Sequence, residues 1–213
     1  MKVQQIKRRS FVWTFANSPD WNLNVQLIRG ERFDYVIDTG LGSESMRPVK
    51  EKLTSGKPII IINTHFHWDH IWGNAALDAA MIVSHQLCRK RMETRWDEMI
   101  RKNGSYIDGD AVKRLPDIVF DEGLYFPDDG IRVFYSPGHT EDGIGVLDEY
   151  DGVLNVGDNI GDDREHIMPD LECDKTVYDA SLRHYIKTGA DTVVSGHNDV
   201  MNASVFEEIR KRL

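Results

Sequence analysis

Ile61-Ile62-Asn63-Thr64-His65-Phe66-His67-Trp68-Asp69-His70 decides the reading of this chain. An apolar run with the character of a buried strand stops abruptly, and four potential metal ligands follow within six residues. His65, His67, Asp69 and His70 offer neutral imidazoles and one carboxylate, the donor set that suits zinc and other first-row transition metals. A segment that continues a strand places His65 and His67 on one side. Asp69 and His70, after a turn, face a different point. One ion cannot use all four with good geometry, whereas two adjacent ions can if more ligands arrive.

Further ligands stand at suggestive places downstream. His139 lies in Gly138-His139-Thr140, Asp158 follows Gly157, and His197 follows Gly196. Each comes directly after an apolar stretch and a glycine that permits close backbone approach. Taken singly, each is an ordinary loop histidine or turn aspartate. Beside the 65–70 cluster they read as the rest of one metal site.

Around these points the pattern is that of layered α/β structure. Residues 11–15 have strand character, broken by Asn17-Ser18-Pro19-Asp20. Strands are predicted at Asn22–Arg29 and Arg32–Asp38, joined by Gly30-Glu31 as a tight hairpin. A helix begins at Ser43 or Glu44 with Met46, Val49 and Leu53 on one face, and ends at Gly56. After the Ile59–Asn63 strand come a short helix at Asn74–Leu77, a strand at Ala80–Ser84, and a long helix from Gln86 to Lys102. In that helix Cys88, Met92, Trp96 and Met99 recur at helical spacing and are expected to pack on a sheet. Strands follow at Asp117–Phe120, Leu124–Phe126 and Ile131–Tyr135, with a hairpin of Ile144–Asp148 and Val153–Val156. The polar stretch from Gly157 to Cys173 is long enough to suggest a functional loop or lid. A helix over Asp174–Lys187, a strand over Asp191–Ser195 and a last helix from Ser204, with Glu207 placed for a capping box, complete the order.

With 213 residues, one domain spanning 1–213 is expected. A formal charge of −9 argues against a general nucleic-acid binder, which needs a basic face for phosphates. The two cysteines, Cys88 and Cys173, form no CxxC pair, so a disulfide framework is not expected and a cytoplasmic setting fits. The basic N-terminus lacks the apolar segment of a signal peptide, and no apolar run approaches the ~18 residues of a membrane span.

In this order, Asp38-Thr39-Gly40, Thr64-His65-Phe66-His67-Trp68-Asp69-His70, Gly138-His139-Thr140, Gly157-Asp158 and Gly196-His197 resemble the motifs of the metallo-β-lactamase-fold hydrolases over nearly the whole chain. The resemblance implies a four-layer αββα sandwich with a dinuclear metal site on one edge. It implies that His65, His67 and His139 hold one ion, that Asp69, His70 and His197 hold the other, and that Asp158 bridges them. Asp38 is implied as a residue that steadies the site rather than a ligand. Two divalent ions, zinc first with iron or manganese as alternatives, would then acidify a bridging water, and the hydroxide would attack an acyl carbonyl. Asp69 would orient that nucleophile as well as bind metal. No Gly-x-Ser-x-Gly elbow competes with this reading.

Departures from the pattern narrow the branch. An aspartate at 158, where β-lactamases of this fold commonly carry Cys or Ser, resembles the glyoxalase II, lactonase and general hydrolase branches. Trp68 is similar to the glyoxalase II motif, yet a counterpart of the helical C-terminal region that holds glutathione there is not expected after His197. The expected substrate is a small ester, thioester, lactone or related acyl compound. The alternatives are a mononuclear iron persulfide dioxygenase and a phosphodiesterase or nuclease of the same fold. Phe66, Trp68 and Trp72 neighbour the ligands and are the expected pocket wall. For Phe11, Trp13, Phe15 and Trp21, core packing competes with a place over the site.

Overall fold

The computed structural model describes residues 1–18, 21–78 and 80–213. Among them, seven strands form one sheet in sequential order: β1 (Lys2–Gln5), β2 (Ser10–Ser18), β3 (Trp21–Arg29), β4 (Asp34–Ile37), β5 (Ile59–Ile62), β6 (Met81–His85) and β7 (Ile118–Phe120). The second sheet holds β8 (Gly123–Phe126), β9 (Ile131–Tyr135), β10 (Ile144–Asp148), β11 (Val153–Asn155), β12 (Thr192–Val194) and β13 (Met201–Asn202), each beside its sequence neighbour. The helices are α1 (Ser43–Lys50), α2 (Trp68–Ile71), α3 (Gln86–Asn103), α4 (Lys175–Lys187) and α5 (Ser204–Arg210). Antiparallel pairing from β1 to β4 gives way to parallel pairing from β4 to β7. Parallel neighbours need crossovers, and α1 and α3 supply two of them on one face.

The four isoleucines of β5 show how the layers form. Side chains of a strand alternate between faces, and both faces here are covered. Ile60 and Ile62 join Tyr35, Ile37 and Val83 in a core shared with Ile131, Val133, Ile144 and Val146 of the second sheet. Ile61 points the other way, into a cluster with Val36, Ile82, and Met46 and Val49 of α1. The outer face of the second sheet is covered by α4 and α5 through Tyr178, Leu182, Tyr185, Phe206 and Ile209. The expected αββα sandwich is therefore the architecture found, with β3 to β5 and β9 to β11 forming its buried centre and β7 and β8 largely exposed. No helix among the described residues is long and apolar enough to cross a membrane.

Several local expectations are corrected by contacts distant in sequence. The 11–15 strand runs on to Ser18, because β2 pairs along β3 as far as Trp21; Pro19 and Asp20 of the predicted break lie outside the described residues. The turn after β3 is not a two-residue hairpin. Asp129, from the turn before β9, accepts the N–H groups of Glu31, Arg32 (2.9 Å) and Phe33 (3.1 Å), which delays the next strand to Asp34. Ser204 does not cap α5: Ala203 is its N-cap, and the Ser204 N–H is bound by the Asn202 side chain at 3.0 Å. The segment 74–77 forms a 3-10 turn over Asn74–Ala76. The basic N-terminal residues were not read as structure, yet Lys2–Gln5 adds an edge strand.

Polar pairs tie the two sheets together. Gln26 donates to Ser10 (2.7 Å) and accepts from Asn155 (2.9 Å), while Asn24 donates to the carbonyls of Ser195 (2.9 Å) and Asn198 (2.7 Å). Arg9 packs its guanidinium on the fully buried Asp148 and donates to the Asp129 carbonyl at 2.7 Å. Removing one partner of such a pair strands the other charge away from water. Asp148→Ala is therefore expected to cost roughly 3–5 kcal/mol in urea unfolding. A loss below about 1 kcal/mol would mean that the pair is solvated like a surface one.

Candidate metal centre

The residue cluster sits where β5 ends, and the local fold explains how it divides. His65 and His67 lie on the extended segment that leaves β5; His67, still extended, is the N-cap of α2. Asp69 and His70 lie in the first turn of α2, so the chain has rotated between the two pairs. Paired amides hold the segment at both ends: Asn63 and Asn74 exchange two hydrogen bonds of 2.9 Å, and Thr39 donates to the His70 carbonyl from its backbone at 2.8 Å.

His139 arrives from the loop after β9, Asp158 from the end of β11 and His197 from the end of β12. The seven side chains form two groups able to hold an ion. His65, His67, His139 and Asp158 make one, and Asp69, His70 and His197 the other. Asp158 Oδ2 reaches both. It stands 3.5 Å from His65 Nε2 and 3.8 Å from His139 Nε2 on one side, and 3.2 Å from His70 Nε2 and 3.1 Å from His197 Nε2 on the other. Asp69 Oδ2 is 3.6 Å from His70 Nε2 and 3.4 Å from His197 Nε2. Close approach depends on Gly196, where a Cβ would overlap Asp158 Oδ1.

Hydrogen bonds fix which nitrogen faces inward. His70 Nδ1 meets Asp38 Oδ2 at 2.8 Å, His197 Nδ1 meets the Asn22 carbonyl at 2.6 Å, and His139 Nδ1 meets the Asp170 carbonyl at 2.8 Å. These partners only accept, so each Nδ1 carries hydrogen and each Nε2 is left for the centre. The Thr64 hydroxyl gives its own proton to Asp38 Oδ2 at 2.7 Å, so it accepts from His65 Nδ1 at 3.0 Å. Asp38 thus orients two of the imidazoles, one directly and one through Thr64. It adopts the left-handed backbone (φ 58°), alone among the described non-glycine residues, a conformation Asp tolerates better than most.

The electrostatics are those of a site built around positive charge. Burial and the neighbouring imidazoles push His65 well below the ordinary histidine range, and burial first, then His139, takes His67 to about 4. Burial also opposes charge on His70 and His197, but the carboxylates win: Asp158, Asp69 and Asp38 raise His70, and Asp158 and Asp69 raise His197 to about 9. Asp158 is held well below the carboxylate range by His197, His70 and His65 despite its burial. Buried His65 Nε2, His70 Nε2 and Asp158 Oδ1 have no hydrogen-bond partner among the described residues. Inward, unpartnered nitrogen and carboxylate donors are what divalent cations require, so the residues fit such ions.

Of the expected pocket residues, Phe66 and Trp68 line a cavity beside His67, whereas Trp72 does not. Trp72 is fully buried, packed with Cys88, Met92 and Trp96 under α3, because it lies beneath Trp68 on the inner side of the α2 turn. Trp21, for which core packing competed, stands edge-on to His197 (5.7 Å) and Trp68 (6.1 Å). Tyr106, unremarked in the sequence, stacks at a tilt on Trp68 at 5.2 Å. The 159–173 loop is tied to the site by the Glu172 N–H on the His139 carbonyl (3.0 Å). Of the other histidines, His85 caps α3, and exposed His166 pairs with Asp163.

Arg91 was not singled out from sequence, where it is one cation among many on α3. Its guanidinium pairs with Glu172 (2.5 Å) and Glu141 (2.7 Å), lies 3.6 Å from Asp142, and stands over the Phe66 ring at 4.9 Å. It clasps three loops of the site. Asp142 beneath it is fully buried, and burial pushes its carboxyl up to about 6 against the pull of Arg91.

A profile of the metallo-beta-lactamase superfamily matches residues 19–197. The human protein named acyl-coenzyme A thioesterase MBLAC2 is 28% identical over 166 residues, which take in 65% of this chain and 58% of that one. The chain thus spans little more than half the length of that relative. A metallo-beta-lactamase from Pontibacter korlensis superposes with a TM-score of 0.76 at 17% identity, covering 100% of this chain and 99% of that one. FIM-1 from Pseudomonas aeruginosa, in its mono-zinc form, gives 0.76 at 18%, with 99% and 95% covered. An archaeal superfamily protein from Sulfolobus tokodaii gives 0.68 at 23%, with 89% and 79% covered. At these identities the structures share the fold.

Two predictions test the site. Asp38→Asn keeps the left-handed backbone but puts an amide beside His70 or Thr64; metal affinity in chelator competition is expected to fall roughly 10- to 100-fold. Unchanged affinity would remove Asp38 from the site. For Asp142, the folded pKa lies above the unfolded one, so the folded protein keeps this proton longer and loses stability as pH rises through about 6. Between pH 4 and pH 8, wild type is expected to lose on the order of 3 kcal/mol relative to Asp142→Asn. Parallel stability curves for the two proteins would contradict this.

Proposed function

Because the chain belongs to the metallo-β-lactamase superfamily, we propose that this metal-dependent hydrolase cleaves the acyl bond of a small ester, thioester or lactone. The observation that carries the reading is Asp158 Oδ2 standing within 3.8 Å of four imidazole Nε2 atoms drawn from both ligand groups. His65, His67 and His139 would hold one divalent ion, Asp69, His70 and His197 the second, and Asp158 both. When bound, such ions supply Lewis acidity toward a carbonyl oxygen and lower the pKa of water toward about 7. Zinc suits this mixture of imidazole and carboxylate best, with iron and manganese as competitors.

The chain's own residues then do the positioning. Asp69 turns one oxygen, Oδ2, toward His70 and His197. Its other oxygen, Oδ1, is assigned to orient the attacking water and take its proton. The water oxygen bonds to the acyl carbon, the C–O or C–S bond breaks, and the proton passes to the departing alcohol or thiol. Protein nucleophiles are poor rivals: burial holds the Cys88 thiol well above its usual pKa, and burial also raises Cys173. Trp21, Trp68 and Tyr106 form an aromatic wall beside His197. The thioester option draws support from the human relative's name, and a small molecule rather than nucleic acid fits the acidic chain.

The test is a panel of acyl esters, acyl thioesters, lactones and a phosphodiester, run with zinc-, manganese- and iron-loaded protein. Acyl turnover is expected, and Asp158→Asn should lose more than the roughly 10- to 100-fold typical of a ligand's supporting partner. Turnover of the phosphodiester alone, or oxygen uptake with a persulfide by the iron form, would overturn the acyl reading.

A further inference from the structure

Two cavities border the centre, and only one of them is lined by aromatic side chains. One, of about 310 Å³, lies between His67 and the outer turns of α3. Its floor is Phe66, Trp68 and Met99, and its rim carries Arg95, Glu98 and Lys102. Glu98 takes both rim cations, Arg95 at 3.1 Å and Lys102 at 2.7 Å, so the three groups together carry one net positive charge. Arg91 behind Phe66 is likewise occupied by Glu141 and Glu172. The Arg95 guanidinium lies over one side of the Phe66 ring at 5.4 Å, and the alkyl stem of Lys102 is left to border the floor. The second cavity, about 290 Å³, lies against His139 and Asp158, with Asp162, Asp170, His166, Met168 and Pro169 in its wall. Since His67 Nδ1 and His139 Nε2 are 3.1 Å apart, the two cavities meet at the centre, one against His67 and the other against His139.

Resting on the acyl-hydrolase reading above, we propose that the α3 cavity takes the hydrocarbon part of the acyl group and that Met99 sets its length. A carbonyl held at the centre sends one substituent to each flank. A hydrocarbon chain gains by leaving water for the aromatic floor of Phe66 and Trp68 with Met99, and gains less beside Met168 and Pro169 set among the exposed Asp162 and Asp170. At the ~30 Å³ that one water occupies in the liquid, the cavity has room for roughly ten non-hydrogen atoms, a medium-length chain. Met99, 6% exposed, closes the floor from α3. The sequence pattern assigned it to the helix's packing face, and it does both.

The experiment compares acetyl, butanoyl, hexanoyl, octanoyl and dodecanoyl thioesters of one thiol with metal-loaded wild type, Met99→Trp and Met99→Ala. In wild type kcat/KM is expected to rise roughly two- to fourfold per methylene up to about octanoyl. Met99→Trp should lower the octanoyl-to-acetyl ratio by roughly tenfold, and Met99→Ala should move the optimum to longer chains. Calorimetric titration with octanoate and acetate supplies a readout apart from turnover: octanoate is expected to bind at least roughly 60-fold tighter than acetate to wild type and to lose roughly tenfold of that advantage in Met99→Trp. Acyl turnover with a flat length profile, or octanoate binding untouched in both variants, would overturn the pocket while leaving the hydrolase reading intact. No acyl turnover together with Met99-dependent octanoate binding would overturn the hydrolase reading and leave the pocket standing.

Discussion

A carboxylate buried among imidazoles is the constraint on which this molecule turns. Asp158 lies at the end of β11 with one oxygen facing four histidine nitrogens and the other pressed against Gly196. An ionised carboxylate removed from water survives only when positive charge meets it. Without a cation, protons on His70 and His197 meet that need, which is why both are held protonated above the usual histidine range. Divalent ions would meet it better and release those protons, so metal uptake and pH are coupled by the same carboxylate.

Convergence on that point requires the two sheets to hold their relative position. Asp38 and the 65–70 cluster come from strand ends of one sheet; His139, Asp158 and His197 come from strand ends of the other. The buried amides of Asn24, Gln26 and Asn155 and the Arg9–Asp148 pair set the sheets against each other with directional bonds, where an apolar interface alone would allow sliding. Arg91 closes the opposite side by joining α3, the His139 loop and the end of the 159–173 loop.

Much of this was legible in the sequence because it is local. The Ile59–Ile62 strand, the α3 stripe of Cys88, Met92, Trp96 and Met99, and the ligand quartet need only short-range periodicity and donor chemistry. His139, Asp158 and His197 were legible only jointly, since a glycine followed by one polar residue is an ordinary turn until three such turns meet. Arg91 and Asp142 were not legible: Arg91 meets Glu172 across 81 residues of chain, and nothing near Asp142 announces its burial. Trp72 shows the converse error. Nearness to the ligands in sequence suggested the pocket, but one helical turn after Trp68 the chain has passed beneath it into the core. The Gly30-Glu31 hairpin failed for a similar reason, because Asp129, 98 residues from Glu31, dictates that turn.

The central claim is that seven side chains from two sheets make one two-ion centre. An anomalous-scattering map from crystals of zinc-loaded protein, collected on either side of the zinc edge, addresses it directly. The account predicts two peaks, one enclosed by His65, His67 and His139 and one by Asp69, His70 and His197, with Asp158 in contact with both. A single peak, or none at the second group under saturating zinc, would contradict it.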